Sequence, residues 1–190
     1  MGKAASKLSN EDLNELKKST KFQTKELKQW YKGFKRDCPS GKLTREEFIR
    51  IHKQFFPFGD PTDFSNYAFD AFDKDKSDAI DFKEFIIALS IASRGTKEEK
   101  LRWTFNMYDL DRDGIISYDE MLLIVKAIYK MIGPMVELSD DEASPDLRVQ
   151  KIFRLMQKQP DEKISLDEFT AGSKTDPNIV MSLELYSGLV

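Results

Sequence analysis

The sequence predicts an all-α protein of four helix–loop–helix units in two paired lobes, with short β-bridges between the loops and one more helix at the C-terminus. Two observations carry that prediction. A twelve-residue loop pattern recurs four times, with position 1 at Arg36, Asp73, Asp109 and Gln157 and an aliphatic residue at each position 8. Between the loops, apolar residues recur at the three- and four-residue spacing of helices that bury one face. The 190 residues, 40% of them hydrophobic, suffice for one packed domain or two small lobes.

Residues 1–22 are expected to hold an N-terminal segment and the first helix. They open a basic stretch. The first 36 residues carry ten lysines and arginines against four acidic residues, although the whole chain has a net charge of −3. Two readings stay open for that stretch, a solvated helix face and attraction to an acidic membrane surface. The opening MGKAAS matches the myristoylation pattern, with Gly2 as acceptor after removal of Met1 and Ser6 at the favoured position. One myristoyl chain gives only marginal membrane binding, on the order of 10⁴ M⁻¹, so a second signal is needed. Lys3 and Lys7 supply one, at about 1 kcal/mol each near an anionic surface.

Residues 23–92 contain the first pair of units. Their apolar stripes are Leu27, Trp30, Tyr31, Phe34; Phe48, Ile51, Phe55; Phe64, Tyr67, Phe69, Phe72; and Phe85, Ile86, Leu89. In the first loop, Arg36 to Glu47, a cation stands at position 1, Cys38 at position 3 and Pro39 at position 4. Glu47 is the one charged oxygen left at a ligand position, and a hard cation finds little there. Asp37 falls at position 2, whose side chain points away. The second loop, Asp73 to Glu84, is different. Asp73, Asp75, Ser77, Asp81 and Glu84 place side-chain oxygens at positions 1, 3, 5, 9 and 12, with the Ala79 carbonyl at position 7. That spacing belongs to a calcium loop of the EF-hand type. Asp78 replaces the usual glycine at position 6, where a left-handed backbone costs a non-glycine residue about 1 kcal/mol, so weaker binding than at the third loop is expected.

Residues 93–97 read as the linker between lobes, with Gly95 as hinge or turn. Residues 98–174 repeat the plan, with stripes Leu101, Trp103, Phe105, Tyr108; Met121, Leu122, Val125, Ile128; and Val149, Ile152, Phe153, Met156. The third loop, Asp109 to Glu120, is the best preserved. Asp109, Asp111 and Asp113 aim three carboxylates inward, Ile115 offers its carbonyl, Ser117 reaches the ion directly or through water, and Glu120 closes the site. Gly114 makes the sharp turn. In the fourth loop, Gln157 to Glu168, Asp161 and Glu168 survive, while Gln157 and Gln159 replace carboxylates and Glu162 replaces glycine. This loop is expected to stay empty at cellular calcium, leaving two ions, at the second and third loops. Glu137 to Pro145 reads as a flexible connector. Residues 175–190 form the expected C-terminal helix, whose stripe Ile179, Leu183, Leu185, Tyr186 and Leu189 makes it a candidate internal plug.

An aromatic at helical spacing is more often core than contact surface. The first half is nevertheless unusually rich in large aromatics, and a sensor hand that opens exposes an apolar cleft for a target helix. Trp30, Phe34, Phe48, Ile51, Phe55, Phe85, Leu89 and Trp103 are the residues assigned to that cleft. The lone histidine, His52, reads as a packing residue. The one cysteine, Cys38, has no partner for an internal disulfide, which suits a reducing compartment. No apolar run nears the roughly 20 residues of a membrane span, and no secretory signal is expected. The net negative charge argues against nucleic acid as a partner. No nucleophile–base pair or phosphate-cradling loop is evident, so the chain reads as no enzyme.

The segments MGKAASKLS, QWYKGFKRDCPSGKL, KQFFPFGDP, ASRGT, MYDLDRDGIIS and LYSGLV together resemble the neuronal calcium sensor family, and most closely its frequenin branch, over essentially the full length. The resemblance implies a calcium sensor with a silent first hand and a myristoyl group on Gly2. It also implies a partner class: a phosphatidylinositol 4-kinase that members bind and activate, with receptors, exchange factors and ion channels as further targets. The implied location is the cytoplasm and the cytosolic face of Golgi or plasma membrane. The chain departs from the family pattern at Asp78 and in the fourth loop, which puts ion number and cooperativity in question. The loops alone leave two rivals to a sensor, a calcium buffer without effector and a constitutive membrane scaffold for the kinase. Calcium-induced exposure of apolar surface distinguishes a sensor from the first, and loss of the kinase complex in chelator from the second.

Overall fold

The computed structural model describes residues 8–133 and 139–173. Gly2, Lys3 and Lys7 of the N-terminus and the segment Ile179 to Val190 lie outside the described residues. Within them the chain is helical with four very short strands, the all-α architecture of the sequence reading. In order the elements are α1 (Asn10–Ser19), α2 (Thr24–Asp37), β1 (Lys42–Thr44), α3 (Arg45–Phe55), α4 (Thr62–Phe72), β2 (Ala79–Asp81) and α5 (Phe82–Arg94). Then follow α6 (Lys97–Tyr108), β3 (Ile115–Ile116), α7 (Tyr118–Ile132), a 3-10 turn at Asp140–Glu142, α8 (Pro145–Leu155), β4 (Ile164–Ser165) and α9 (Leu166–Gly172).

The four loops pair two by two, and the aliphatic residue at position 8 is the reason. β1 runs antiparallel to β2 with Leu43 opposite Ile80, and β3 antiparallel to β4 with Ile116 opposite Ile164. All four are buried. Each such side chain removed from water stabilises the pair by roughly 2 kcal/mol and fixes its register.

Position 9 of every loop does a second job. Thr44, Asp81, Ser117 and Ser165 are the N-caps of the outgoing helices, each accepting a backbone N–H from the glutamate three residues on. The glutamates at position 12 reach back to complete capping boxes in all four loops. Glu47 and Glu168, in the damaged loops, therefore have a structural role that needs no metal.

The core runs continuously through both lobes, with Phe64, Phe69, Phe153 and Phe169 among its fully buried side chains. α4 lies against both α6 and α7, and Phe72 meets Trp103 edge to face at 5.8 Å. α1 docks on α5 through Lys83, whose Nζ is 2.9 Å from Asp12 and 2.8 Å from Glu15. At the lobe boundary Gly95 ends α5 in an extended conformation, and Thr96 caps α6 with Glu99. A Cβ on Gly95 would fall 2.3 Å from the Ile91 carbonyl oxygen, so the tight exit itself demands glycine.

One expectation needs correction. The sequence suggests a flexible connector over Glu137 to Pro145, yet its described part is tied down. Tyr129 Oη donates to the Glu142 carbonyl at 2.7 Å, the buried Arg148 pairs with the Glu142 carboxylate, and Lys151 reaches Asp141 and Glu142 at 2.7 Å each. The polar composition that looked like a linker is an ion-pair cluster whose cations come from α8.

Candidate metal centre

The third loop begins where α6 ends, with the Asp109 N–H closing the last helical turn on Phe105. Arg112 and Gly114 then take φ of 61° and 89° and wrap the chain back on itself. Backbone amides aim the carboxylates: Gly114 donates to Asp109 Oδ2 (3.0 Å), Asp113 to Asp111 Oδ1 (3.1 Å) and Ile115 to Asp113 Oδ1 (3.0 Å). Glu120 folds in from the first turn of α7. Its Oε1 accepts from the backbone of Leu110 (3.0 Å) and Asp111 (3.3 Å), its Oε2 from Ser117. Carboxylate oxygens of Asp109, Asp111 and Glu120 lie within 4.8 Å of one another.

One atom in this cluster is unsatisfied. Asp109 Oδ1 is buried and has no hydrogen-bond partner. Burial pushes the Asp109 carboxyl up, the Gly114 amide opposes that, and the negative charges of Glu120, Asp113 and Asp111 push it up further. Burial also raises Glu120, but hydrogen bonds from Ser117, Asp111 and Leu110 outweigh it and hold that carboxyl low. An orphaned buried acceptor among converging carboxylates fits a cation, and an all-oxygen donor set fits a hard one such as calcium.

The second loop repeats the arrangement. Asp73 Oδ1 accepts from Ser77 and its Oδ2 from Asp78, while Glu84 Oε1 accepts from Lys74 and Asp75 and its Oε2 from Asp81. Asp73, Asp75 and Glu84 form the other cluster of carboxylate oxygens within 4.8 Å, and among the described residues there are these two. Asp78 does take the left-handed backbone, at φ 58°, with Lys76 at 56°. Its carboxylate is tied to the Arg45 guanidinium at 3.0 Å, a partner that the loop pattern gave no reason to expect. Of the other expected ligand groups, Asp81 caps α5, Ser77 Oγ donates to the Ala79 carbonyl at 2.9 Å, and Ile115 lies in β3.

In the first loop α2 continues through Asp37, so Arg36 is still helical and binds Asp37 at 2.8 Å. The fourth loop does not wrap like the third. Pro160 and Glu162, at positions 4 and 6, are not left-handed, and Gln157 at position 1 is, with φ 56°. Lys158 Nζ lies 2.7 Å from Glu168 Oε1 and holds that carboxyl at about 2, with Ser165 donating to the other oxygen. An ammonium thus occupies the position-12 carboxylate. Lys163, at position 7, reaches across to Asp113 of the third loop at 2.8 Å. The loop template does not score either lysine, because position 2 is no ligand position and position 7 contributes only its carbonyl, leaving both side chains free.

Residues 62–126 and 98–174 match the EF-hand domain pair family. The chain is 54% identical to Neuronal calcium sensor 1 of Lymnaea stagnalis over 185 residues, covering 97% of each chain. It is 55% identical to Neuronal calcium sensor 1 of Aplysia californica over the same length and coverage. The chain belongs to the neuronal calcium sensor family. Members of that family are calcium-binding regulators rather than enzymes, and this neuronal calcium sensor carries its EF-hands in the two pairs described above. No helix among the described residues is long and apolar enough to cross a membrane.

On the N-terminal pair of this neuronal calcium sensor, a groove of about 540 Å³ is lined by Trp30, Phe48, Ile51, Phe55, Phe85 and Leu89, all assigned to a cleft from sequence. Leu43, His52, Phe72 and the buried Cys38 join them, with Glu47, Asp37 and Arg50 adding charge. Phe55 is 52% exposed on this groove. Phe34 and Trp103 are not among its lining residues. Phe34 is buried against Phe82 and Phe85, and Trp103 borders a smaller cavity of about 300 Å³ with Phe72 and Ile91.

Proposed function

We propose that this sensor binds two calcium ions, one in each of its second and third loops, and that filling them opens the aromatic groove to a helix of a target protein. Asp73, Asp75, Ser77, Ala79, Asp81 and Glu84 would hold one ion, and Asp109, Asp111, Asp113, Ile115, Ser117 and Glu120 the other. The ion supplies positive charge that relieves the repulsion among converging carboxylates. The observation that carries this reading is the buried, unpartnered Asp109 Oδ1 beside Asp111 and Glu120.

Glu84 and Glu120 are both ligand candidates and N3 residues of α5 and α7. A shift of either carboxylate therefore moves the start of an outgoing helix, and α5 carries Phe85 and Leu89 of the groove. The groove is lined mostly by apolar side chains, with Asp37, Glu47 and Arg50 among them, which suits an amphipathic helix. The partner class we favour is a phosphatidylinositol 4-kinase, activated at a membrane to which a myristoyl group on Gly2 and the basic N-terminus bring the sensor. Single-chain acylation is reversible, in keeping with regulated attachment.

The test is calcium titration of the full chain and of Glu120→Gln, followed by target-helix binding in calcium and in chelator. Two ions in the parent, fewer in the variant, and loss of calcium-dependent target binding are expected. Equal target affinity with and without calcium would sink the switching role in favour of a constitutive scaffold. Calcium uptake with no rise in apolar dye binding would leave a buffer.

A further inference from the structure

The two loops read as calcium sites belong to different pairs, yet a chain of hydrogen bonds joins them across the lobe boundary. It runs through Asp70, in the last turn of α4. That helix leads straight into Asp73, position 1 of the second loop, and has no basic residue of its own in its last turn. The last carbonyls of a helix lack intrahelical donors, and a cation there is favoured by the helix dipole. Arg112 of the third loop meets that need, with Nη2 donating to the Asp70 carbonyl at 3.0 Å. Arg45 of α3 meets the charge of the same residue, with Nη2 2.7 Å from Asp70 Oδ1, and the same nitrogen reaches Asp78 at position 6 of the second loop at 3.0 Å. The Arg45 guanidinium is steadied from below by the Phe69 ring, 4.3 Å away.

We propose that Arg45 and Arg112 are positioning residues for the second calcium site, and that Arg112 couples it to the third, so that filling the third loop strengthens calcium binding at the second. The inference rests on the reading of both loops as calcium sites. Arg112 stands at position 4 of its loop, between Asp111 and Asp113, with a left-handed backbone at φ 61°. A filled loop fixes that backbone and holds the guanidinium on the Asp70 carbonyl. An empty loop frees it, and the end of α4 loses its donor just where Asp73 must be placed. Arg45 works on the second loop from within its own pair, holding the carboxylate of a residue whose left-handed backbone is otherwise unfavourable. Reciprocity requires that the second site strengthen the third by the same factor.

The experiment is a calcium titration of the full chain followed by NMR, using the Asp78 amide for the second loop and the Gly114 amide for the third. Arg112→Ala is expected to weaken the second site roughly two- to fivefold, the range for a solvent-exposed cation at a helix C-terminus. In a Glu120→Gln background, where the third loop is disabled, the same change is expected to have no effect. Arg112→Lys, which keeps a donor for one carbonyl, should retain most of the coupling. Arg45→Ala should weaken the second site in both backgrounds. An equal loss from Arg112→Ala in both backgrounds, or no loss in either, would overturn the coupling. A parent protein that takes up no calcium at these amides would instead overturn the reading of the loops as calcium sites.

Discussion

Gly59 lies against the main chain of Met131, so that a Cβ on it would fall 1.9 Å from the Met131 carbonyl oxygen. The contact joins the α3–α4 connection to the end of α7. The Asp60 N–H donates to the Lys130 carbonyl at 2.9 Å, and Lys130 Nζ returns to Asp60 and Asp63 at 3.2 and 2.9 Å. Because the obstacle is backbone, it cannot rotate away. Gly59→Ala is expected to destabilise the protein by about 2–3 kcal/mol, a Tm drop of roughly 5–10 °C. An unchanged Tm would mean that the two lobes do not depend on this seam.

The Lys158–Glu168 pair predicts how the fourth loop behaves. Calorimetry should count two ions per chain, and Glu168→Gln should leave that count unchanged while lowering thermal stability, because Glu168 completes the cap of α9 and is paired with Lys158. Three ions in the parent protein, or loss of one in Glu168→Gln, would contradict this.

The same pair has a pH signature. Lys158 first, then Ser165, hold the Glu168 carboxyl at about 2, below the roughly 4.3 of an unfolded chain. A depressed folded pKa stabilises above the unfolded value and is lost as pH falls toward the folded one. The parent protein should therefore lose stability more steeply than Lys158→Ala between about pH 4.3 and 2, measured by thermal melts in calcium-free buffer. Parallel curves would show that the pair contributes nothing in solution.

The four-loop plan was legible because position 8 and the helical stripes report on burial, and burial decides the fold. Leu43, Ile80, Ile116 and Ile164 could be paired on paper for that reason. The groove residues were mostly legible too, but Phe34 and Trp103 belong to stripes wide enough to face either the groove or the core, and spacing alone does not choose. What the pattern hid were the cations. Lys158, Lys163, Arg45 and Arg112 occupy positions that the loop template leaves free, and their roles depend on a neighbouring element brought close by folding. The capping boxes were readable in principle, as Thr44, Asp81, Ser117 and Ser165 each precede a glutamate by three residues.

His52 supplies the last prediction. The sequence left it as a packing residue, and it is buried beside Phe48 and Phe64, with ring centroids 4.4 and 6.4 Å away and Nδ1 2.9 Å from the Phe48 carbonyl. Burial pushes its pKa down, and the bond to the Phe48 carbonyl only partly opposes that. The unfolded histidine titrates near 6.5, so between that value and the lower folded one the unfolded chain binds more protons. Stability from the buried neutral ring is thus complete above about pH 6.5 and declines as pH falls below it. His52→Phe keeps a flat ring in an aromatic site and removes the titration. The larger ring enters a buried site beside the groove that His52 lines, so it should change stability by no more than about 3 kcal/mol at pH 7.5, the range for small-to-large core changes. Thermal melts at pH 7.5, 6.5 and 5.5 should then show a shallower decline in the variant than in the parent, and an identical decline would place the acid sensitivity of the N-terminal pair elsewhere.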